Sequence, residues 1–135
     1  MTRKIVLALV FAWFSIGGLG HFLAPDFFLK IIPPGLPYKL EAVYVSGLFE
    51  LLGAAALLFA GLRRMAGVGL IALTLAVTPA NVYMWANPEL FPAIPEILLV
   101  LRLVLQALLV AAIWCSTQWL AASAPASAPA ADSSR

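Results

Sequence analysis

The sequence predicts an all-α integral membrane protein: an antiparallel four-helix bundle with a Pro-rich first loop lying at the membrane interface. Three observations carry that reading. Of 135 residues, 64% are hydrophobic and 10% charged, against about 45–50% and about 25% in an ordinary soluble domain. Four apolar runs each approach the roughly 20 residues a spanning helix needs. Segments rich in charge, Pro or Gly separate those runs. Eight basic and six acidic side chains are too few to cover the surface that a soluble domain of this length exposes, and a mean hydropathy of +1.03 asks for lipid as solvent. The first partner is therefore the bilayer. A net charge of +2 comes without a basic patch or RNA-binding motif, so no nucleic acid is expected.

The spans run from about Ile5 to Leu23, Leu40 to Ala60, Met65 to Trp85 and Ile97 to Leu120. They make residues 1–120 one transmembrane domain. Residues Met1 to Leu19 also fit a secretory signal, with Arg3 and Lys4 ahead of an apolar stretch and Gly18-Leu19-Gly20 as a small-x-small site. That stretch is long enough to span, and its removal would leave three helices, so retention is preferred. The first loop, Ala24 to Pro37, holds a cluster of three prolines at Pro33, Pro34 and Pro37 and is too short to cross; it is expected to lie in the interface or over the bundle mouth, with Phe27 and Phe28 buried. The second, about Gly61 to Arg64, is so short that its flanking spans must be antiparallel neighbours. The third carries Pro88, Pro92 and Pro95. Residues 121–135 form an Ala/Ser/Pro tail with no apolar periodicity, read as disordered.

Arg3 and Lys4 flank the first span and Arg63 and Arg64 fill the second loop, whereas the third loop has Glu89 and Glu96 but no base. The positive-inside rule then places both termini in the cytoplasm. The expected location is a bacterial inner membrane. A single cysteine, Cys115, excludes an internal disulfide or a CxxC pair, and in its apolar run it reads as a small core residue.

Ionisable groups at membrane depth cost about 2.5–3.5 kcal/mol on insertion scales, so each needs a partner or a purpose. His21, Glu50 and Arg102 are such groups, and the polar amides Asn81 and Gln106 join them, the five spread over all four spans. From the helical rise, Glu50 lies about 12 Å deep, Arg102 about 8 Å, Gln106 about 14 Å and Asn81 about 6 Å, with His21 a turn from the span end. All fall in the non-cytoplasmic half. Ser46, Gly47, Glu50, Gly53 and Ala54 share one helical stripe of small residues around the carboxylate, and Gly17 and Gly18 share a face with His21, so the cluster faces a packed interior.

The pairing expected from this set is Glu50 with Arg102, whose forked guanidinium can hold a carboxylate and still serve Asn81, Gln106 or a bound oxygen. Pro79 breaks the helix ladder before Asn81 and frees the carbonyl of Leu75. The resulting kink predicts a cavity rimmed by Phe27, Phe28, Tyr44, Tyr83 and Trp85. Against this, Glu50 and Arg102 as a purely structural ion pair, with Asn81 and Gln106 as interhelical glue, explain the same residues. No metal site is expected from one His with Glu and Asn.

The segments GGLGHFLAPDFFLKIIPP, VYVSGLFELLGA, RRMAGVGLIALTLAVTPANVYM and LRLVLQALLVAAIW resemble the DoxX-like family of small four-helix bacterial membrane proteins, over about Phe14 to Trp114. The residues carried by the match are His21, Pro25, Pro33, Pro34, Ser46, Gly47, Glu50, Pro79, Asn81 and Arg102. The resemblance implies a redox-associated accessory role. Direct thiol transfer lacks its cysteine pair, no catalytic or cofactor motif is complete, and electrons must come from a membrane or peripheral partner. A quinone or other apolar ring compound is the ligand this reading names. The alternatives are a membrane assembly or chaperone factor docking through the first loop, and ion transport, for which the inner half lacks polar groups. A homodimer through Gly/Ala-rich faces is compatible with either binding role.

Overall fold

The computed structural model describes residues 2–119. Its helices are α1 (Thr2–Leu23), α2 (Pro25–Ile31), α3 (Lys39–Leu57), α4 (Arg63–Ala76), α5 (Thr78–Ala86) and α6 (Glu96–Trp114), with a 3₁₀ turn at Pro88–Leu90 and a wide π turn at Cys115–Trp119. Four helical stretches are long and apolar enough to cross a membrane: Thr2–Leu23, Lys39–Leu57, Arg63–Ala86 and Glu96–Gln118. They match the predicted spans to within a few residues. The tail predicted over 121–135 lies outside the described residues.

The most apolar stretch of each span is only 11–28% buried within the protein. Leu9, Ile16, Leu23, Ile97 and Leu108 are among the large apolar side chains left outside, which lipid rather than water can solvate. Inward faces recur at helical spacing. On α1 they are Val10, Phe14, Gly18 and His21. Glycine at position 47 lets α1 and α3 meet backbone to backbone, because a Cβ there would lie 2.6 Å from the Cβ of His21 and 3.1 Å from the carbonyl oxygen of Gly18.

The first loop departs from expectation. Its first half is helical: Pro25 opens α2, where its missing amide costs nothing, and Asp26 and Lys30 sit at the ends that suit the helix dipole. Gly35 (φ 97°) and Tyr38 (φ 56°) then turn the chain into α3. Phe27, expected to be buried, is exposed, and Phe28 is half-buried.

Two apolar clusters hold the bundle. Val10, Phe14, Ala54, Leu57, Ala66, Leu70 and Ile113 join α1, α3, α4 and α6. Ile31, Met84, Phe91 and Leu99 tie α2, α5 and the turn before α6 to α6 itself. The polar site lies between these clusters. Beyond the first of them, the π turn near the end of the fourth span buries Ser116, Thr117 and Gln118. Arg3 Nε donates to the Ser116 carbonyl (2.9 Å). Gln118 Nε2 donates to the Arg64 carbonyl (2.7 Å), and Arg64 Nε to Gln118 Oε1 (3.3 Å). Cys115, expected in the core, is exposed.

Candidate functional site

Between α4 and α5 the helix breaks at Val77, with Pro79 in the first turn of the new helix. The break leaves carbonyl groups for side chains to satisfy. The carbonyl that recruits them is Thr74's, one residue before the predicted Leu75: it accepts from Thr78 Oγ1 (3.0 Å) and from Gln106 Nε2 (2.8 Å). Gln106 Nε2 also donates to Thr78 Oγ1.

This anchoring fixes the direction of everything beyond it. A backbone carbonyl can only accept, so the amide nitrogen of Gln106 must face α4 and its oxygen must face Asn81. Asn81 Nδ2 donates to that oxygen (2.6 Å). The Asn81 oxygen is thereby turned toward Arg102, whose Nε donates to it (2.7 Å). A relay from α4 through Gln106 and Asn81 thus holds the guanidinium at a set angle. Four of the five guanidinium N–H groups, those on the two terminal nitrogens, make no hydrogen bond to a described residue.

The expected Glu50–Arg102 contact is not made. Glu50 instead faces His21, with Nε2 3.5 Å from Oε1, the only contact of a carboxylate with a basic side chain within 4 Å among the described residues. Helix α3 runs so close to α1 that the other carboxylate oxygen occupies the place of a side chain at Gly17, where a Cβ would come within 2.7 Å of Oε2. The reason for the difference is this crevice: it draws the carboxylate toward α1, while Asn81 claims the Arg102 Nε from the α5 side. The imidazole is buried, its Nδ1 has no hydrogen-bond partner among the described residues, and its ring stacks on Phe28 with centroids 3.8 Å apart.

These groups line one cavity of about 990 Å³, the size of a small-molecule site. All five predicted ligand-binding residues, His21, Glu50, Asn81, Arg102 and Gln106, border it. Of the predicted rim, Phe27 and Phe28 contribute, but Tyr44, Tyr83 and Trp85 do not. Tyr44 stacks on Phe22 at 5.5 Å instead, and Trp85 is exposed as an interfacial aromatic. The other walls are mostly Leu, Ile, Val and Phe. Sequence reasoning missed Thr74 and Thr78. Their signal was present: residues 74, 78 and 81 fall four and three apart, on one face with Asn81.

Residues 7–117 match the model of a family described as a domain of unknown function, DUF8561. The chain belongs to that family. No curated protein and no solved structure shows a match. The DUF8561 region contains every residue bordering the cavity, whereas Arg3 and Gln118 of the clasp at the other end fall just outside it. The DoxX-like resemblance is carried by the motifs alone, since the DUF8561 match brings no such name with it.

Proposed function

We propose that this multi-pass protein binds a quinone-like ring compound in the cavity and serves as an accessory subunit to a redox partner in a bacterial inner membrane. The single observation that carries the reading is Arg102. A guanidinium at membrane depth is held by one nitrogen while its remaining donors border an apolar-walled cavity of ligand size. A quinone offers carbonyl acceptors to those donors. His21, beside Glu50, lies on the same wall for a second oxygen. The sequence shows no haem or iron–sulfur ligation pattern, so in this reading the electrons come from the partner, and no reaction is assigned to this protein alone. Arg3 and Arg64 grip the same turn, so the basic residues beside the first span and in the second loop share one end of the bundle, while Lys30 and Lys39 lie at the other; the third loop at that other end has no base, which supports cytoplasmic termini and access from the outer leaflet.

Equilibrium binding of a short-chain benzoquinone to protein in lipid nanodiscs tests this. Arg102→Ala is expected to lower affinity about 10- to 100-fold, the value of hydrogen bonds to a charged group. Affinity unchanged in Arg102→Ala, or no binding by the wild type, overturns the reading.

The assembly-factor reading draws support from the exposed Phe27, Leu36 and Tyr38 around the Pro-rich turn. Tyr38→Ala separates the two readings and Phe27→Ala and Phe28→Ala do not, because both phenylalanines border the cavity and Phe28 stacks on His21. Loss of partner pull-down in Tyr38→Ala, with pull-down intact in Glu50→Gln, favours docking; the reverse favours the pocket.

A further inference from the structure

The cavity does not end at its polar groups. Along the seam between α1 and α6 it runs into a second, narrower groove of about 260 Å³, and the two share Trp13, Leu105 and Leu109. The walls added by the groove are Val6, Leu9 and Val10 from α1 with Leu108 and Ala112 from α6. None carries a side-chain donor or acceptor. Leu9 and Leu108 are 65% and 60% exposed, so the seam is open sideways to lipid along its length. From Trp13 to Val6 the groove continues for about 10 Å, and from His21 to Val6 the composite site extends about 22 Å, by the helical rise. One end is polar and deep, and the other is apolar and open laterally.

We infer that the occupant is a single amphiphile, a neutral oxygen-bearing ring head carrying a long hydrocarbon chain, which enters sideways between α1 and α6 and lays its chain along the seam. The inference rests on the proposed cavity function and adds the chemical class and the route. A neutral head follows from the cavity's own charges: Arg102 is offset by Glu50 across the same space, leaving no excess of positive charge for a phosphate. A chain follows from continuity, since a compact ring would leave the groove to bulk lipid. Sideways passage follows from the exposed seam, because a long chain has no reason to leave the bilayer on its way in.

The test uses the full-length protein in nanodiscs with two probes, a benzoquinone bearing one prenyl unit and one bearing a long prenyl chain tipped with a photoreactive diazirine. Tail adducts are expected on Leu9, Leu108 and Ala112 rather than on the outward face of α3. Excess short-chain quinone is expected to reduce them about tenfold, as is Arg102→Ala. Leu108→Trp, which fills the groove at a lipid-exposed position, is expected to lower long-chain binding while leaving short-chain binding unchanged. Adducts spread evenly over all lipid-facing helices, or equal loss of both probes in Leu108→Trp, overturn the chain groove. If short-chain binding nevertheless depends on Arg102, the cavity reading stands without it. If neither probe shows dependence on Arg102, both fall together.

Discussion

Replacing Asn81 by Leu tests the relay that holds Arg102. Leucine has nearly the shape of asparagine, so the variant removes two interhelical hydrogen bonds, Arg102 to Asn81 and Asn81 to Gln106, with little change in packing. In lipid such bonds average about 0.6 kcal/mol each and reach about 1.7, because the unfolded chain in the membrane also finds partners. The Arg102 bond involves a charged donor and belongs to the strong end. The expected loss is about 1–3 kcal/mol, measured by denaturant titration in bicelles. The network makes a sharper demand on the double variant. Asn81→Leu and Gln106→Leu both delete the bond between them, so together they are expected to cost less than the single effects added, with a coupling of at least ~0.5 kcal/mol. Asn81→Leu is also expected to weaken quinone binding, since the guanidinium loses its only bond within the described protein. Strict additivity, or a neutral Asn81→Leu, would refute the relay.

Other outcomes follow from the same geometry. Asn81→Asp is expected to destabilise although it sets a carboxylate beside Arg102: one oxygen faces the guanidinium, the other meets the Gln106 oxygen, and Gln106 cannot turn round without losing Thr74; a gain in unfolding free energy contradicts the assigned direction. Gly17→Ala places a Cβ against Glu50 Oε2 and should displace the carboxylate from His21. Alanine favours the helix by about 1 kcal/mol, so quinone affinity is expected to fall several-fold while the thermal midpoint holds, and unchanged affinity would remove Glu50 from the site. Gly47→Ala forces α1 and α3 apart at His21 and is expected to cost about 1–3 kcal/mol in the same bicelle titration; a neutral result would deny the close crossing.

The fold was legible because lipid leaves the chain few choices. Once the apolar runs are long enough to span, backbone hydrogen bonding makes them helices, and charge and proline mark where they stop. The cavity residues were legible for a related reason. A polar group in hydrocarbon is costly, so depth alone picks out His21, Glu50, Asn81, Arg102 and Gln106, and depth places them at one level. Depth is a coordinate along the membrane normal, however, and says nothing about rotation about it. Pairing Glu50 with Arg102 by charge ignored that α1 could come closer to α3 than α6 does. That closeness is written in glycines: Gly17 and Gly47 open the crevice that holds the carboxylate beside His21. The short helix α2 inside the first loop was not legible, because a proline stops a helix from within but starts one at its first turn, as Pro25 does.

The proposed binding role draws on a contrast between the polar groups at the two ends of the bundle. At the far end of the bundle, Arg64 and Gln118 bond to each other, and Gln118 returns a bond to the Arg64 carbonyl; a structural clasp closes on itself. At the cavity, Gln106 is equally consumed, with its nitrogen and its oxygen both engaged. The hydrogen bonds are therefore all donated in one direction, from Arg102 through two amides to the carbonyl at the broken helix, and Arg102 at their head keeps donors unspent. Interhelical glue has no use for a cation at the end of the chain, because Asn81 and Gln106 already join α5 to α6. An Arg102 kept only for register would also be expected to meet the nearest carboxylate, yet Glu50 is drawn off to His21. The relay thus fixes the angle of a guanidinium as well as joining two helices, which is what the proposed binding role requires and a role in helix register alone does not.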